Sequence, residues 1–294
     1  MEFFLQLALN GIVVGSIYAL VALGFVIIYK SSGVLNFAQG EFLLLGGYVF
    51  WALTESHAPW PWAAGLTVLF SILLGLALER LILRPMIGEP IISVIMVTLG
   101  LSSVLRAIVL GAWGTDTRPY PALFSSEPLM LGPVPISRGY LFSMMIAGAL
   151  LLAFTLFFRY SRVGIAMRAT AFSQEVAQSM GISVRRIFAV SWSIAAVVSA
   201  LGGILLGALR GGVDGSLSVL GLKALPVVIL GGLDSVAGAI VGGLVVGVLE
   251  NLSGGYLDPL FGGGVKEVAP FAALVLILMV KPYGLFGKVK IERV

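Results

Sequence analysis

The chain has 294 residues, of which 59% are hydrophobic and 11% are charged, whereas soluble domains carry about 25% charged residues. Its apolar runs are continuous rather than alternating, which predicts an all-α polytopic membrane bundle and disfavours a membrane β-barrel. The net charge of +4 needs no nucleic-acid partner to explain it, and the absence of cysteine excludes disulfides, thiolate nucleophiles and cysteine metal sites.

About eight apolar segments are predicted to form a single transmembrane domain over residues 1–294. Each is close to the roughly 20 residues that a helix needs to cross a bilayer. The segments lie at 5–29, 34–54, 62–83, 91–112, 138–158, 187–209, 225–250 and 267–283.

The basic residues predict the orientation of these segments. They follow alternate segments, at Lys30, Arg84, Arg159 and Lys281. Because cytoplasmic loops are enriched in Lys and Arg, the N-terminus and the loop 113–137 are predicted outside, and the loop 159–186 and the C-terminus inside the cell. Four tryptophans then lie at the outer interface, where indole rings are favoured: Trp51, Trp60, Trp62 and Trp113.

The segment 225–250 conflicts with this orientation if it is a single crossing, because the basic tail would then lie outside. Glycines and Asp234 interrupt it between Gly231 and Gly238. Such an interruption predicts a broken or re-entrant helix, which membranes tolerate when it is buried in protein or lines a cavity. The alternative is one kinked helix, with the crossing count wrong elsewhere.

The loop 159–186 is the most polar part of the chain, with five arginines against a single acid, Glu175. Phe172, Val176 and Met180 recur every four residues, so they share one face of a short helix predicted at 169–181. A glycine, Gly181, can end this helix in the left-handed conformation. Two interpretations stay open at this point: the helix docks into a groove of a soluble partner, or it lies among lipid headgroups.

Several polar residues fall inside or beside the apolar segments, at Asn36, Gln39, Glu41, Arg106, Asp234 and Glu250. Ionisable groups at membrane depth cost free energy unless they are paired or hydrated, so each one suggests a functional site. The alternative for Asn36 to Glu41 is helix capping near the inner interface. The alternative for Arg106 is an ion pair with Glu41 or Asp234, and Glu250 is expected at the interface.

Enzyme functions find little support, and the chain is predicted not to be catalytic. The one histidine, His57, lies between tryptophans in a predicted external loop and reads as a surface residue. No HExxH or Cys/His metal spacing is present, so no metal site is predicted, and nothing matches the phosphate-binding loop GxxxxGK[ST]. If ATP drives this protein, the ATPase is a separate chain.

Several motifs, in the same order along almost the whole chain, resemble the permease subunits of branched-chain amino-acid ABC importers (the LivH type). They are Asn10-Gly-Ile-Val-Val-Gly-Ser-Ile-Tyr-Ala-Leu20, Gly33-Val-Leu-Asn-Phe-Ala-Gln-Gly-Glu-Phe42, Gly164-Ile-Ala-Met-Arg-Ala169, Val227-Val-Ile-Leu-Gly-Gly-Leu-Asp-Ser-Val-Ala-Gly-Ala239 and Lys281-Pro-Tyr-Gly-Leu-Phe-Gly287. Permeases for urea and short amides look similar, so the resemblance is less specific for the substrate.

The resemblance implies a cell inner membrane location and a set of partners. These are a second homologous permease, two ATP-binding subunits that carry ATP and Mg, and an extracytoplasmic substrate-binding protein. No cofactor is expected on this chain. Glu175-Val-Ala177 followed by Gly181 resembles the E-A-A-x3-G coupling motif of such permeases, although its downstream I-x-L-P part is absent. Docking on an ATPase then becomes the favoured role of this helix, carried by Arg168, Phe172, Glu175, Val176, Met180 and Gly181.

The expected function is transport of branched-chain amino acids by alternating access, driven by the partner ATPases. Asn36, Gln39, Glu41 and Asp234 are the candidates for the translocation pathway. One alternative is a permease for urea or short amides. Another is a secondary carrier that uses Arg106 and Asp234 as an ion-coupled pair and needs no ATPase.

Overall fold

A computed structural model describes residues 1–120, 128–131 and 134–287, and most of these residues are helical. Six helical segments are long and apolar enough to cross a membrane: Glu2–Ser32, Trp60–Met86, Ile91–Trp113, Arg138–Tyr160, Val184–Arg210 and Val236–Tyr256. The helices are α1 (Glu2–Ser32), α2 (Gln39–Glu55), α3 (Trp60–Leu78), α4 (Ile91–Trp113), α5 (Arg138–Tyr160), α6 (Arg162–Phe172), α7 (Gln174–Ser179), α8 (Val184–Arg210), α9 (Leu217–Leu222), α10 (Ala224–Gly231), α11 (Val236–Tyr256), α12 (Asp258–Phe261) and α13 (Val265–Val280). The all-α membrane bundle predicted from composition is therefore confirmed.

Short irregular elements complete the chain. A π-helical turn (Glu79–Leu83) and a 3₁₀ turn (Arg84–Met86) extend α3. Two antiparallel strand pairs join β1 (Arg118–Pro119) to β4 (Gly212–Val213), and β2 (Pro128–Leu131) to β3 (Val134–Ser137). The predicted external loop 113–137 thus contains strands in its described part.

The centre of the bundle is formed by α1 and α8, which are the most buried of the long helices. α1 packs against α5, α8, α10 and α11, while α8 also packs against α2 and α3. An apolar surface on all sides suits a helix that is enclosed by other helices. α1 ends where Gly33 takes the left-handed conformation, with φ of 76°, and its N–H donates to the carbonyl of Tyr29 at 2.8 Å.

The contact between α1 and α11 depends on glycine. The pairs Gly11/Gly15 and Gly243/Gly247 have the small-xxx-small spacing that lets helices approach closely in lipid. A Cβ atom added at Gly15 would lie 2.5 Å from the carbonyl oxygen of Gly243, and one at Gly11 would lie 2.6 Å from the Cα of Val248. The two helices are therefore antiparallel and pack backbone against backbone. These glycines thus form a contact within the chain.

α2 is shorter than its neighbours because it begins inside the bundle. The prediction placed this segment at 34–54, but the helix starts only at Gln39, whose side-chain amide lies against Gly24 of α1. Residues 33–38 lead back into the bundle from the end of α1 without helical structure. The polar residues at the start of α2 consequently lie among helices, away from the end of α1.

The predicted break in 225–250 is present, and of the two predicted forms, a broken or a re-entrant helix, the structure shows a reversal, because α10 and α11 are antiparallel. α10 ends at Gly231, Gly232 has a φ of 105°, and α11 begins at Val236. The two helices touch through Gly231 and Gly238, where neither position has room for a Cβ atom. α9 and α10 together form a shorter apolar segment, Leu217–Gly231, directly before the turn. The alternative of a single kinked helix is wrong.

The two ends of the helical bundle differ in the described residues that they carry. One end holds Trp51, Trp113, the β1–β4 pair and Tyr120, whose hydroxyl donates to the carbonyl of Gly47 at 2.8 Å. The opposite end holds the end of α1, the α6–α7 loop and the turn between α10 and α11. The segment after α13 also reaches this second end, where the N–H of Leu285 donates to the carbonyl of Leu230 at 2.8 Å.

Candidate translocation and coupling sites

The start of α2 carries an ion pair with α4, in which the carboxylate is buried and the guanidinium is partly exposed. Arg106 lies 3.2 Å from Oε1 of Glu41, and the Ser102 hydroxyl donates to the same oxygen at 3.2 Å. Arg106 also donates to the hydroxyl of Ser218 in α9. The Glu41 side chain is 2% exposed, whereas that of Arg106 is 39% exposed. Of the two partners that the sequence allowed for Arg106, the structure therefore selects Glu41.

Asn36 and Gln39 form a second polar group directly beside this pair. The Gln39 amide donates to the Ser199 hydroxyl at 2.6 Å and to the carbonyl of Ala195 at 3.2 Å, both in α8. The Asn36 amide donates to Oε1 of Gln39 at 3.2 Å, and its own Oδ1 accepts from the N–H of Ala38 at 3.0 Å. These bonds fix the entry into α2 and place Asn36 and Gln39 among the helices, but none of the described side chains caps the first turn of α2, so the capping alternative finds no support.

A second ion pair, between Lys223 and Glu250, is sealed inside the bundle. Lys223 lies at the junction of α9 and α10, and its Nζ is 2.8 Å from Oε1 of Glu250 in α11. The side chains are 5% and 2% exposed. The same Nζ lies 2.7 Å from Glu267 at the start of α13, which is 62% exposed. One lysine thus links three helices.

The sequence did not reveal this second pair. Glu250 was predicted at the membrane interface without a partner, whereas its side chain is enclosed by the protein and bound to Lys223. Lys223 was not singled out at all, since it stands between two short apolar stretches that look like a loop and a span. The sequence did contain a signal for this pair: Lys223 and Glu250 both interrupt apolar sequence, and charged residues at membrane depth need partners.

Asp234 lies apart from the other pathway candidates. It is in the turn between α10 and α11, and it lines a cleft of about 790 Å³ at the end of the bundle where α1 ends. Lys30, Arg168 and Gln174 line the same cleft. The structure brings Asn36, Gln39 and Glu41 together, but it places Asp234 with the α6–α7 loop. The ion-coupled pair of Arg106 and Asp234 that a secondary carrier would use is not formed.

The predicted helix at 169–181 is divided into two. Residues up to Phe172 continue α6, and α7 begins at Gln174 because the Ser173 hydroxyl accepts from the N–H of Val176 at 3.3 Å and caps the new helix. The predicted end at Gly181 is confirmed, with φ of 82°. The single-helix prediction was wrong because Ser173 offers the backbone a competing hydrogen bond.

The apolar side chains of this loop face solvent. Phe172 is 92% exposed, Val176 is 59% exposed and Met180 is 78% exposed. Arg168 is different, since its guanidinium donates to the carbonyls of Phe158 and Arg159 and so binds the end of α5. The loop therefore presents three bare apolar side chains on a base that Arg168 holds to α5.

The comparisons with known proteins agree with one another. The family model described as "Branched-chain amino acid transport system / permease component" matches residues 7–280. The high-affinity branched-chain amino acid transport system permease protein LivH of Salmonella typhimurium is 33% identical over 310 residues, covering 99% of this chain and 98% of the relative. This chain belongs to that permease family. The resemblance predicted from the sequence motifs is thereby confirmed.

Two further proteins are similar to the permease over almost its whole length. The permease protein BraD of Pseudomonas aeruginosa is 31% identical over 306 residues, with 99% of this chain and 98% of the relative covered. The solved structure "PsaBC from Streptococcus pneumoniae in complex with Fab" aligns with a TM-score of 0.50 at 17% identity, covering 97% of this chain and 94% of that one. At this identity the second comparison shows a shared fold. The permease is a multi-pass membrane protein of the transport class.

In this permease the candidate coupling residues occupy both α6 and α7. Arg168 and Phe172 belong to α6, Glu175 and Val176 belong to α7, and Met180 and Gly181 follow it. Ala177 is the buried member of the Glu175-Val-Ala177 motif, and its carbonyl accepts from the N–H of Ile182 at 2.9 Å. The motif thus has one anchored residue with exposed residues around it.

Proposed function

We propose that this permease is the membrane subunit of an ATP-driven importer that moves branched-chain amino acids across the inner membrane by alternating access. The nearly full-length similarity to LivH and BraD carries this proposal, because the names of both relatives state this transport. The start of α2 inside the bundle, after the non-helical residues 33–38, suits such a role, since interrupted helices accompany transport pathways.

We infer nine crossings for the proposed topology. The six long segments are joined by α2, by α9 with α10, and by α13, each of which runs opposite to the helix before it in the bundle. An odd number puts the two ends of the chain on opposite sides. With Lys30, Arg159 and the α6–α7 loop in the cytoplasm, the N-terminus is outside and the C-terminus inside, as basic cytoplasmic loops require.

The proposed assembly contains a second homologous permease, two ATP-binding subunits that hold ATP and Mg, and an extracytoplasmic binding protein. The exposed Phe172, Val176 and Met180 support the docking of an ATPase, because three bare apolar side chains on a cytoplasmic loop favour burial in a partner groove. ATP drives the cycle only if it binds one conformation more tightly than the other.

Uptake by the complete complex in liposomes tests the proposed function. With the binding protein outside and ATP inside, leucine should accumulate, while urea and acetamide should not. The permease alone should accumulate nothing under a proton or sodium gradient. Accumulation of urea would assign the related amide specificity, and uptake driven by the gradient alone would contradict the ATP-driven role.

A substitution at Gly181 tests the coupling role of the loop. Gly181→Val should leave the complex assembled but abolish most of the ATPase stimulation by the loaded binding protein, because a β-branched residue resists a φ of 82°. Gly148→Ala in α5, where a Cβ atom meets nothing within 4 Å, is the matched control. Normal stimulation in Gly181→Val would rule out a coupling role for this turn.

A further inference from the structure

The exposure of Arg106 is unexpected for a residue in a membrane-spanning helix. Its neighbours two positions away, Val104 and Ile108, are exposed and apolar and lie about 200° around the helix from it, at roughly 100° per residue. Val104 and Ile108 therefore lie on a different side of α4 from Arg106, whose side also carries the exposed Leu99 two turns away. A charged side chain at membrane depth is tolerated where it faces protein or a water-filled cavity. In a membrane, the exposed part of Arg106 consequently requires protein or a water-filled cavity beside it.

The guanidinium of Arg106 is only partly used by the protein. Nε and Nη2 bind Glu41 and Ser218, whereas Nη1 has no hydrogen-bond acceptor among the described residues. Guanidinium groups bind carboxylates through two parallel hydrogen bonds, and they keep their charge when partly desolvated. One edge of Arg106 is thus available to an anionic group that approaches from the exposed side.

Glu41 also has an unused atom. Its Oε2 is buried and accepts no hydrogen bond within residues 1–120, 128–131 and 134–287. A buried acceptor without a partner costs free energy, so an unpaired carboxylate oxygen calls for an explanation. A cationic donor that reached Oε2 would satisfy it, while Ser102 and Arg106 continue to hold Oε1.

The two unused groups have opposite charge and belong to one ion pair. A zwitterion carries a carboxylate and an ammonium group on one carbon atom, which is the spacing that an adjacent cation and anion can match. We infer that Arg106 and Glu41 form a transient recognition site for the head group of the transported amino acid, with Arg106 binding its carboxylate and Glu41 its ammonium group. This inference rests on the proposed function, and it adds the residues that distinguish a zwitterion from a neutral amide.

The position of the site agrees with this role. It lies where α2, α4 and α9 meet, and α2 begins inside the bundle. The ion pair already neutralises itself, so it holds a passing zwitterion weakly and releases it. Weak binding of this kind suits a site that a transported amino acid passes through, and not a site that retains it. The pair of Lys223 and Glu250 also has one carboxylate oxygen without a partner among the described residues, Oε2 of Glu250, but its lysine is 5% exposed against 39% for Arg106, so a carboxylate cannot approach the cation there.

Photolabelling of the complete complex tests binding without any substitution. A diazirine analogue of leucine that keeps both charged groups should label peptides from α2, α4 and α9. Millimolar leucine should suppress this labelling, and leucinamide, which lacks the carboxylate, should not. Equal competition by both compounds, or labelling confined to other helices, would overturn the inference.

Substitutions then separate recognition from a structural role. Arg106→Gln should lower both the labelling and the ATP-driven uptake of leucine by about tenfold or more, the loss expected for one charge-assisted hydrogen bond. The double variant Arg106→Gln with Glu41→Gln removes the unpaired charge but also the site, so uptake should stay low. Recovery of uptake in the double variant would show a structural pair and refute recognition. Wild-type complexes that import no leucine would instead refute the proposed function.

Discussion

The permease has two ion pairs inside its helical bundle, and they differ in how much of the cation is covered. Lys223 is 5% exposed and is held between Glu250 and Glu267, whereas Arg106 is 39% exposed and binds one face of Glu41. The first pair joins α9 and α10 to α11 and α13, and its lysine contacts both acids, although Oε2 of Glu250 has no hydrogen-bond partner among the described residues. The second pair leaves the donor Nη1 of Arg106 and the acceptor Oε2 of Glu41 without a partner among the described residues, and the cation is accessible. Similar side chains thus serve cohesion in one place and recognition in the other, according to enclosure.

The largest effect is expected from Lys223→Met. This change leaves Glu250 as a buried carboxylate without its partner, which costs about 3–5 kcal/mol of unfolding free energy. The quantity to measure is the denaturant midpoint of the permease in detergent micelles, with its slope. Combining Lys223→Met with Glu250→Gln should recover most of the loss, because no uncompensated charge remains. A single variant as stable as the wild type would contradict the sealed character of this pair.

Arg106→Gln should destabilise the fold less than Lys223→Met. The glutamine amide can still donate to Glu41, and water reaches this half-exposed position, so a loss of about 1–3 kcal/mol is expected. The same denaturation experiment measures it. If Arg106→Gln cost as much as Lys223→Met, the two pairs would be equivalent in enclosure, and the distinction between cohesion and recognition would fail.

The smallest effect is expected from Glu267→Gln. Glu267 lies 2.7 Å from Lys223 but is 62% exposed, and exposed ion pairs contribute about 0–1 kcal/mol. Raising the salt concentration should reduce even this difference, whereas it should leave the effect of Lys223→Met almost unchanged. A loss for Glu267→Gln comparable to that of Lys223→Met would show that Glu267, and not Glu250, is the main partner.

Much of the helical framework could be predicted because long apolar runs leave few alternatives. The spans of α1, α3, α4, α5 and α8 follow from hydropathy, and the break after Gly231 follows from glycines around Asp234. A reversal after Gly231 was one of the two predicted forms of this break, but hydropathy could not choose between them, since both helices are apolar and hydropathy has no direction. Ser173 shows the same limit on a small scale, because its cap decides between one helix and two.

The candidate site was only partly predictable. Asn36, Gln39 and Glu41 are close in sequence and lie together in the structure. Lys223 and Glu250 are 27 positions apart and meet only because the chain turns back between them. Asp234 was grouped with Glu41 on chemistry alone, yet the fold separates them. The sequence alone therefore does not predict which charged residues on different helices form ion pairs, because this depends on how the helices pack.

The attachment of α6 has a mechanical consequence. Phe158 at the end of α5 lies beneath both Lys30 of α1, at 4.9 Å, and Arg168 of α6, at 5.5 Å, while Arg168 also grips the terminal carbonyls of α5. α6 is thus held against two spanning helices, α1 and α5, and the chain changes direction at Ser173, where α7 begins. A lateral displacement of α7 would therefore be transmitted through α6 to α5 and α1 and would tilt these two helices. Little of the displacement would be absorbed by bending of the loop.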